Sequence, residues 1–170
     1  FSFVTESNET NNHAFSALMN VNADAPDLHV TSVVTPPTGS SNQQVQISYS
    51  VSNIGTKDIT NQQWYDGVSL SVDTVFGNSD DVLLTGPSFD TSLAIGDSYT
   101  QPPTCVFPNN LSAIYYIFVQ TNVFNILPKS NLGNNVVRSA PIAIDLKRPD
   151  LVVSQITRPD TVNAGDKLRF

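Results

Sequence analysis

The chain has 170 residues, of which 39% are apolar and only 14% charged, with a formal net charge of −7. Neutral polar residues fill the gap: Ser, Thr, Asn and Gln take 59 positions, about 35%, while Glu occurs twice and Met once. This composition argues against a helical protein, which draws on Ala, Glu, Lys and Met. It also argues against a nucleic-acid binder, which needs a basic face. Recurrent Val, Ile, Tyr and Phe argue against disorder. No apolar run reaches the roughly 18 residues of a membrane-spanning helix, so no membrane insertion is expected.

In chain order, strands are expected near 27–35, 45–51, 68–72, 82–85, 98–106, 113–122 and 136–145. The clearest is Val45, Ile47, Tyr49 and Val51 alternating with Gln46, Ser48 and Ser50, the period-two pattern of a half-buried strand. Val68, Leu70 and Val72 repeat it. The stretch from Ala113 to Asn122 is densely apolar and aromatic, as suits a central strand covered on both faces. Gly and Pro punctuate the runs at Pro36-Pro37, Gly55, Gly86-Pro87, Gly96, Pro102-Pro103 and Pro108. About seven short strands without a helical stretch read as an all-β, immunoglobulin-like β-sandwich. Trp64 is placed where such a sandwich plants a large aromatic in its core. Cys105 has no partner for an internal disulfide and reads as a small buried hydrophobe.

An internal repeat sets the organisation. Pro26-Asp27-Leu28-His29-Val30 returns as Pro149-Asp150-Leu151-Val152-Val153, an offset of 123 residues. Ser7-Asn8 and Asn11-Asn12 return as Ser130-Asn131 and Asn134-Asn135 at the same offset. Residues 1–47 laid over 124–170 give 13 identities without a gap. The expected division is therefore 1–23 as the tail of one unit, 24–147 as a complete sandwich, and 148–170 as the start of a third. The paired Asn common to both copies suits a turn with positive φ.

The candidate ion site is the loop Asp73-Thr74-Val75-Phe76-Gly77-Asn78-Ser79-Asp80-Asp81. Calcium takes six to eight oxygen ligands, and Asp73, Asn78, Asp80 and Asp81 offer carboxylate and amide oxygens around a turn at Gly77. The alternative is a polar hairpin whose Asp and Asn bond nearby amides. Trp64 and Tyr65, with this loop, form a candidate surface for a carbohydrate or other surface ligand. His29 aligns with Val152 and reads as a strand position rather than a base. No hydrolase, metalloprotease or phosphate-loop motif is present, so no catalytic residue is assigned. Asn8-Glu9-Thr10 and Asn110-Leu111-Ser112 are glycosylation sequons in expected turns.

Taken in order, several landmarks resemble the CARDB family, a cell-adhesion-related domain of secreted bacterial and archaeal proteins. They are Pro26-Asp27-Leu28, Val51-Ser52-Asn53-Ile54-Gly55, Trp64-Tyr65-Asp66-Gly67-Val68-Ser69-Leu70-Ser71-Val72-Asp73, Leu93-Ala94-Ile95-Gly96-Asp97-Ser98-Tyr99, Tyr115-Tyr116 and Asn134-Asn135. Three positions depart from its pattern: Ala113 stands for a usual Gly, Asn122 for a common Asp, and Lys129 for the acid that Glu6 supplies one copy earlier. The resemblance implies a seven-stranded Ig-like sandwich, tandem arrays and extracellular spacer or adhesion duty without catalysis. The expected partners are neighbouring repeats or identical subunits head to tail, and surface glycans under the ligand-binding alternative. A third alternative is an accessory domain of a secreted hydrolase. No cofactor is expected, with calcium at the 73–81 loop as the alternative.

Overall fold

The computed structural model describes residues 7, 14–19, 24–129, 131, 133–148, 150–157, 160–161, 163–165 and 167. Thirteen strands and no helix occur among them. In order they are β1 (Leu28–Val34), β2 (Thr38–Ser40), β3 (Gln44–Gln46), β4 (Ser48–Asn53), β5 (Ile59–Tyr65), β6 (Gly67–Ser71), β7 (Val82–Thr85), β8 (Ser88–Leu93), β9 (Ser98–Gln101), β10 (Thr104–Val106), β11 (Ala113–Gln120), β12 (Val136–Arg138) and β13 (Ile142–Asp145).

These strands lie along seven runs of chain, six of which are broken once. The breaks fall at Pro36-Pro37, Ile47, Asp66, Gly86-Pro87, Pro102-Pro103 and Ser139–Pro141. Proline cannot donate to a ladder, so it ends pairing on one sheet and lets the chain cross to another. The sheets record the crossings. One is β1-β4-β9, a second β10-β3, a third β5-β8, and the largest β2-β13-β11-β6-β7, with β12 also on β11. Thus β3 and β4 belong to one run but to different sheets, as do β5 and β6, and β9 and β10. The expected immunoglobulin-like sandwich is present, with its long strands bent between layers.

The core follows the expected alternation. Tyr49 and Val51 of β4 and Ile117 and Val119 of β11 are buried, with Leu28, Val30, Phe107, Ile142 and Ile144 around them. On β11 the outward Phe118 is also covered, by Phe76 from the 73–81 loop at a centroid distance of 5.3 Å. Cys105 is buried in the core, and burial raises its thiol pKa. Every member of this cluster lies between Leu28 and Ile144.

Sequence reading missed β2, β5 and β8. β5 and β8 pair only with each other, with a bulge between Ile59 and Gln62, and four consecutive β5 residues are exposed. Ile59 and Trp64 anchor β5 in the core, but the exposed run 60–63 between them breaks the apolar alternation that marks a strand in sequence. The Asn-rich composition finds its use in turns. All five non-glycine residues with positive φ among the described residues are asparagines: Asn42, Asn61, Asn110, Asn122 and Asn125. Asn134 and Asn135 are not among them, which corrects the positive-φ expectation. Their side chains, rather than their backbone, fix that turn. The earlier copy of the pair, the sequon Asn8 and His13 lie outside the described residues.

Gly55 shows why the first strand starts where it does. It passes against the backbone of 25–27, where Ile54 N–H donates to Asp27 O (2.8 Å) and Thr56 N–H to Ala25 O (3.0 Å). A Cβ at Gly55 would sit 2.5 Å from Asp27 N and collide with Ala25 O. Gly55→Ala is expected to cost about 2–3 kcal/mol, read as a lower urea midpoint at unchanged slope. An unchanged midpoint would mean that this approach is loose.

Candidate functional site

The break between β5 and β6 builds the most elaborate polar site in the unit. Asp66 sits there, 1% exposed. Its Oδ2 accepts hydrogen bonds from the Tyr49 hydroxyl (2.9 Å) and the Tyr99 hydroxyl (2.8 Å), and its Oδ1 from Asn122 N–H (3.4 Å). The Trp64 indole N–H donates to the Tyr99 hydroxyl at 3.1 Å. The participants come from β4, β5, β9 and the end of β11, so one carboxylate joins strands of three sheets. Burial raises the Asp66 pKa, and the donors from Thr121, Tyr99, Tyr49 and the Asn122 backbone oppose that rise. Both phenols are pushed well above the ordinary tyrosine range, first by burial and then by the Asp66 charge.

Trp64 is fully buried. Phe89, its cross-strand partner on β8, stacks on the indole with centroids 5.1 Å apart and planes 10° from parallel. Tyr99 packs against both rings. Tyr65, the next residue, is half-buried and meets Phe124 edge-on at 5.3 Å. Successive side chains of a strand point to opposite faces. Trp64 and Tyr65 therefore form no joint surface, and the indole has no open face on which a sugar could stack. The core placement of Trp64 is what the structure contains.

The 73–81 loop spends its oxygens on its own amides. Asp73 Oδ1 accepts from Val75 N–H (2.7 Å) and Asp73 Oδ2 from the Asn78 side-chain amide (3.1 Å). Asp80 Oδ2 accepts from the Ser71 hydroxyl (3.0 Å) and Val72 N–H (3.3 Å), and Asp81 Oδ2 from Gly77 N–H (2.5 Å). Asn78 Oδ1 accepts from Asp80 N–H at 3.3 Å. Only Asp81 Oδ1 is buried without a partner here. The four residues are brought into one hairpin, as expected, but as acceptors of N–H and O–H groups. No cluster of three or more His, Cys, Asp or Glu side chains suited to a metal occurs among the described residues. What the hairpin does visibly is carry Phe76 onto Phe118.

The sequence landmarks did not reveal that Tyr49, Tyr99 and Asp66 converge. The signal available was a lone acid between Trp64 and an apolar strand, a residue type that is buried only when it is well bonded.

The fold and this buried network define an Ig-type all-β sandwich domain. The CARDB family model matches residues 25–139, and the chain belongs to that family. No curated protein sequence matches it. Among solved structures it is similar to the CARDB domain of the PF1109 protein from Pyrococcus furiosus, whose crystal structure is a complex with di-metal ions. The match has 16% identity and a TM-score of 0.55, and covers 75% of this chain and 100% of that one. A solution structure of the same Pyrococcus furiosus domain matches with 18% identity and a TM-score of 0.52, over 74% of this chain and 100% of that one.

Proposed function

We propose that the chain is part of a tandem-repeat protein at the cell surface, in which residues 24–147 form one non-enzymatic unit serving as a folded spacer or adhesion module. One contrast carries this reading. Leu28 and Val30 of β1 are each 1% exposed, whereas their repeat equivalents Leu151 and Val153 are 92% and 78% exposed. The second pair has the sequence of a first strand but lacks the sandwich that would bury it. Contiguous exposed apolar residues of this kind seek a partner, and a following unit supplies one of the right shape. Membership of the CARDB family supports a surface setting. The neutral Ser, Thr and Asn surface stays hydrated over a wide salt range, since few charges are present to be screened.

Because every core-cluster residue among the described ones lies between Leu28 and Ile144, residues 24–147 are expected to melt within about 3 °C of the full 170-residue chain. A deficit of about 10 °C would make the flanks parts of this unit and overturn the modular reading. Surface placement is tested separately. Antibody raised against the unit is expected to label intact cells, and labelling only after permeabilisation would overturn it.

A further inference from the structure

A second polar cluster lies at the start of β1, beneath the loop that joins β11 to β12. Asp27 is 5% exposed. Its N–H donates to Asn53 Oδ1 (3.1 Å), and its Oδ2 accepts from the Asn134 side-chain amide (3.1 Å). Its Oδ1 is buried and has no hydrogen-bond partner. Asn135 is also buried. The hydrogen-bond network orients its amide so that the nitrogen donates to Leu28 O (3.0 Å) and Asn134 Oδ1 (3.2 Å), while the oxygen accepts from the Lys129 ammonium. Asn122 brings the lysine there. Its side chain binds Ile126 N–H (3.0 Å), Leu127 N–H (3.3 Å) and Leu127 O (3.0 Å), turning the loop inward and burying Leu127 two residues before Lys129.

The result is a relay from ammonium to amide to amide to carboxylate. A buried carboxylate with a bare oxygen calls for a countercharge, and Lys129 supplies it. Burial lowers the pKa of this half-buried lysine, and Asp27 and Asp66 oppose that fall.

The repeat gives the cluster its meaning. At the 123-residue offset Asn134 and Asn135 match Asn11 and Asn12, and Asp27 matches Asp150, but Lys129 matches Glu6. The amides stay constant while the charge at one position inverts. With glutamate there, the set holds two carboxylates and two amide oxygens, the donor chemistry of a hard divalent cation. With lysine, the cation is covalently tethered.

We propose that Lys129 occupies a cation seat formed by Asp27, Asn134 and Asn135, and that this seat takes a divalent, oxygen-preferring cation in copies that carry a carboxylate at this position. In this unit the ammonium makes the seat independent of metal.

The test compares the wild-type 170-residue chain with Lys129→Met and Lys129→Glu by thermal melting, in excess EDTA and in about 5 mM Ca²⁺, above the affinity range of extracellular calcium modules. Lys129→Met is expected to melt about 4–8 °C below wild type in both buffers. Lys129→Glu is expected to be destabilised in EDTA and to recover at least half of that loss in Ca²⁺. Its calcium-induced shift must exceed that of wild type, which carries the same 73–81 loop. A Lys129→Met chain as stable as wild type overturns the seat. So does a Lys129→Glu chain that Ca²⁺ raises no further than wild type, folded or not. An intact mass lower by one ammonia also overturns it, because a Lys129–Asn135 amide would carry no charge.

Discussion

Replacing Trp64 with alanine is expected to lower stability by about 3–5 kcal/mol, the range for emptying a large aromatic site in a packed core. The indole is fully buried, stacked on Phe89 and bonded to the Tyr99 hydroxyl, so the substitution removes packing, a ring stack and a donor at once. For a domain of this size the change corresponds to a fall in melting temperature of about 10–20 °C. Trp64→Phe keeps most of the volume and the stack and should cost markedly less. If Trp64→Ala melted within a few degrees of wild type, the indole would be no part of the core. The large cost also bears on the ligand-binding alternative. Loss of glycan capture in Trp64→Ala would report an unsettled fold, so Tyr65 and Phe124, both partly open to solvent, are the residues to vary instead.

The unit is expected to lose stability steeply above pH 10. Tyr49 and Tyr99 have pKa values raised on folding, so both stay protonated in the native state while the unfolded chain ionises near pH 10. The native state then binds more protons than the unfolded one, and stability falls as pH rises. Each phenol contributes about 1.4 kcal/mol per pH unit, so the pair gives a slope of about 2.7 kcal/mol per unit between pH 10.5 and 12. Urea midpoints across that range measure it. The double variant Tyr49→Phe, Tyr99→Phe starts from lower stability, because Asp66 loses two donors, but its alkaline slope should be flatter by that amount. Equal slopes would mean that the two hydroxyls reach solvent. Asp66 has the same sign but acts at acid pH, in the carboxylate range. Its raised pKa makes ionisation a cost to the fold, so its contribution is greatest at low pH and is lost as pH rises through its native value.

How much of this was legible in the sequence depended on whether a residue acts through its own surface or through its neighbours. Alternation in 45–51 and 68–72 and the apolar density of 113–122 found β4, β6 and β11, because these strands bury side chains on one or both faces. β5 and β8 escaped, since their buried residues, Ile59 and Trp64 on one and Leu93 on the other, are separated by exposed polar residues and leave no period-two run. The exposed loop at 73–81 was visible as a cluster of acids and amides, but its partners were not. Whether Asp73 faces an ion or Asn78 is decided by turn geometry that residue types do not encode. Asp66 lay in plain view beside Trp64, yet its partners Tyr49 and Tyr99 stand 17 and 33 positions away. The offset repeat was the one long-range signal the chain carried, and it is what gives Lys129 its meaning against Glu6.

The parallel pairing of β2 with β13 has a mechanical consequence. Ala143 faces Thr38 and Asp145 faces Ser40, and the pair is held by Ala143 N–H on Pro37 O (3.0 Å) and Ser41 N–H on Asp145 O (2.9 Å). Tension drawing residue 24 one way and residue 147 the other would slide these two strands along each other. Their hydrogen bonds would then be strained together instead of parting one after another like a zip. Under the tandem arrangement proposed above, β2 and β13 would be the link through which pulling force passes from one unit to the next.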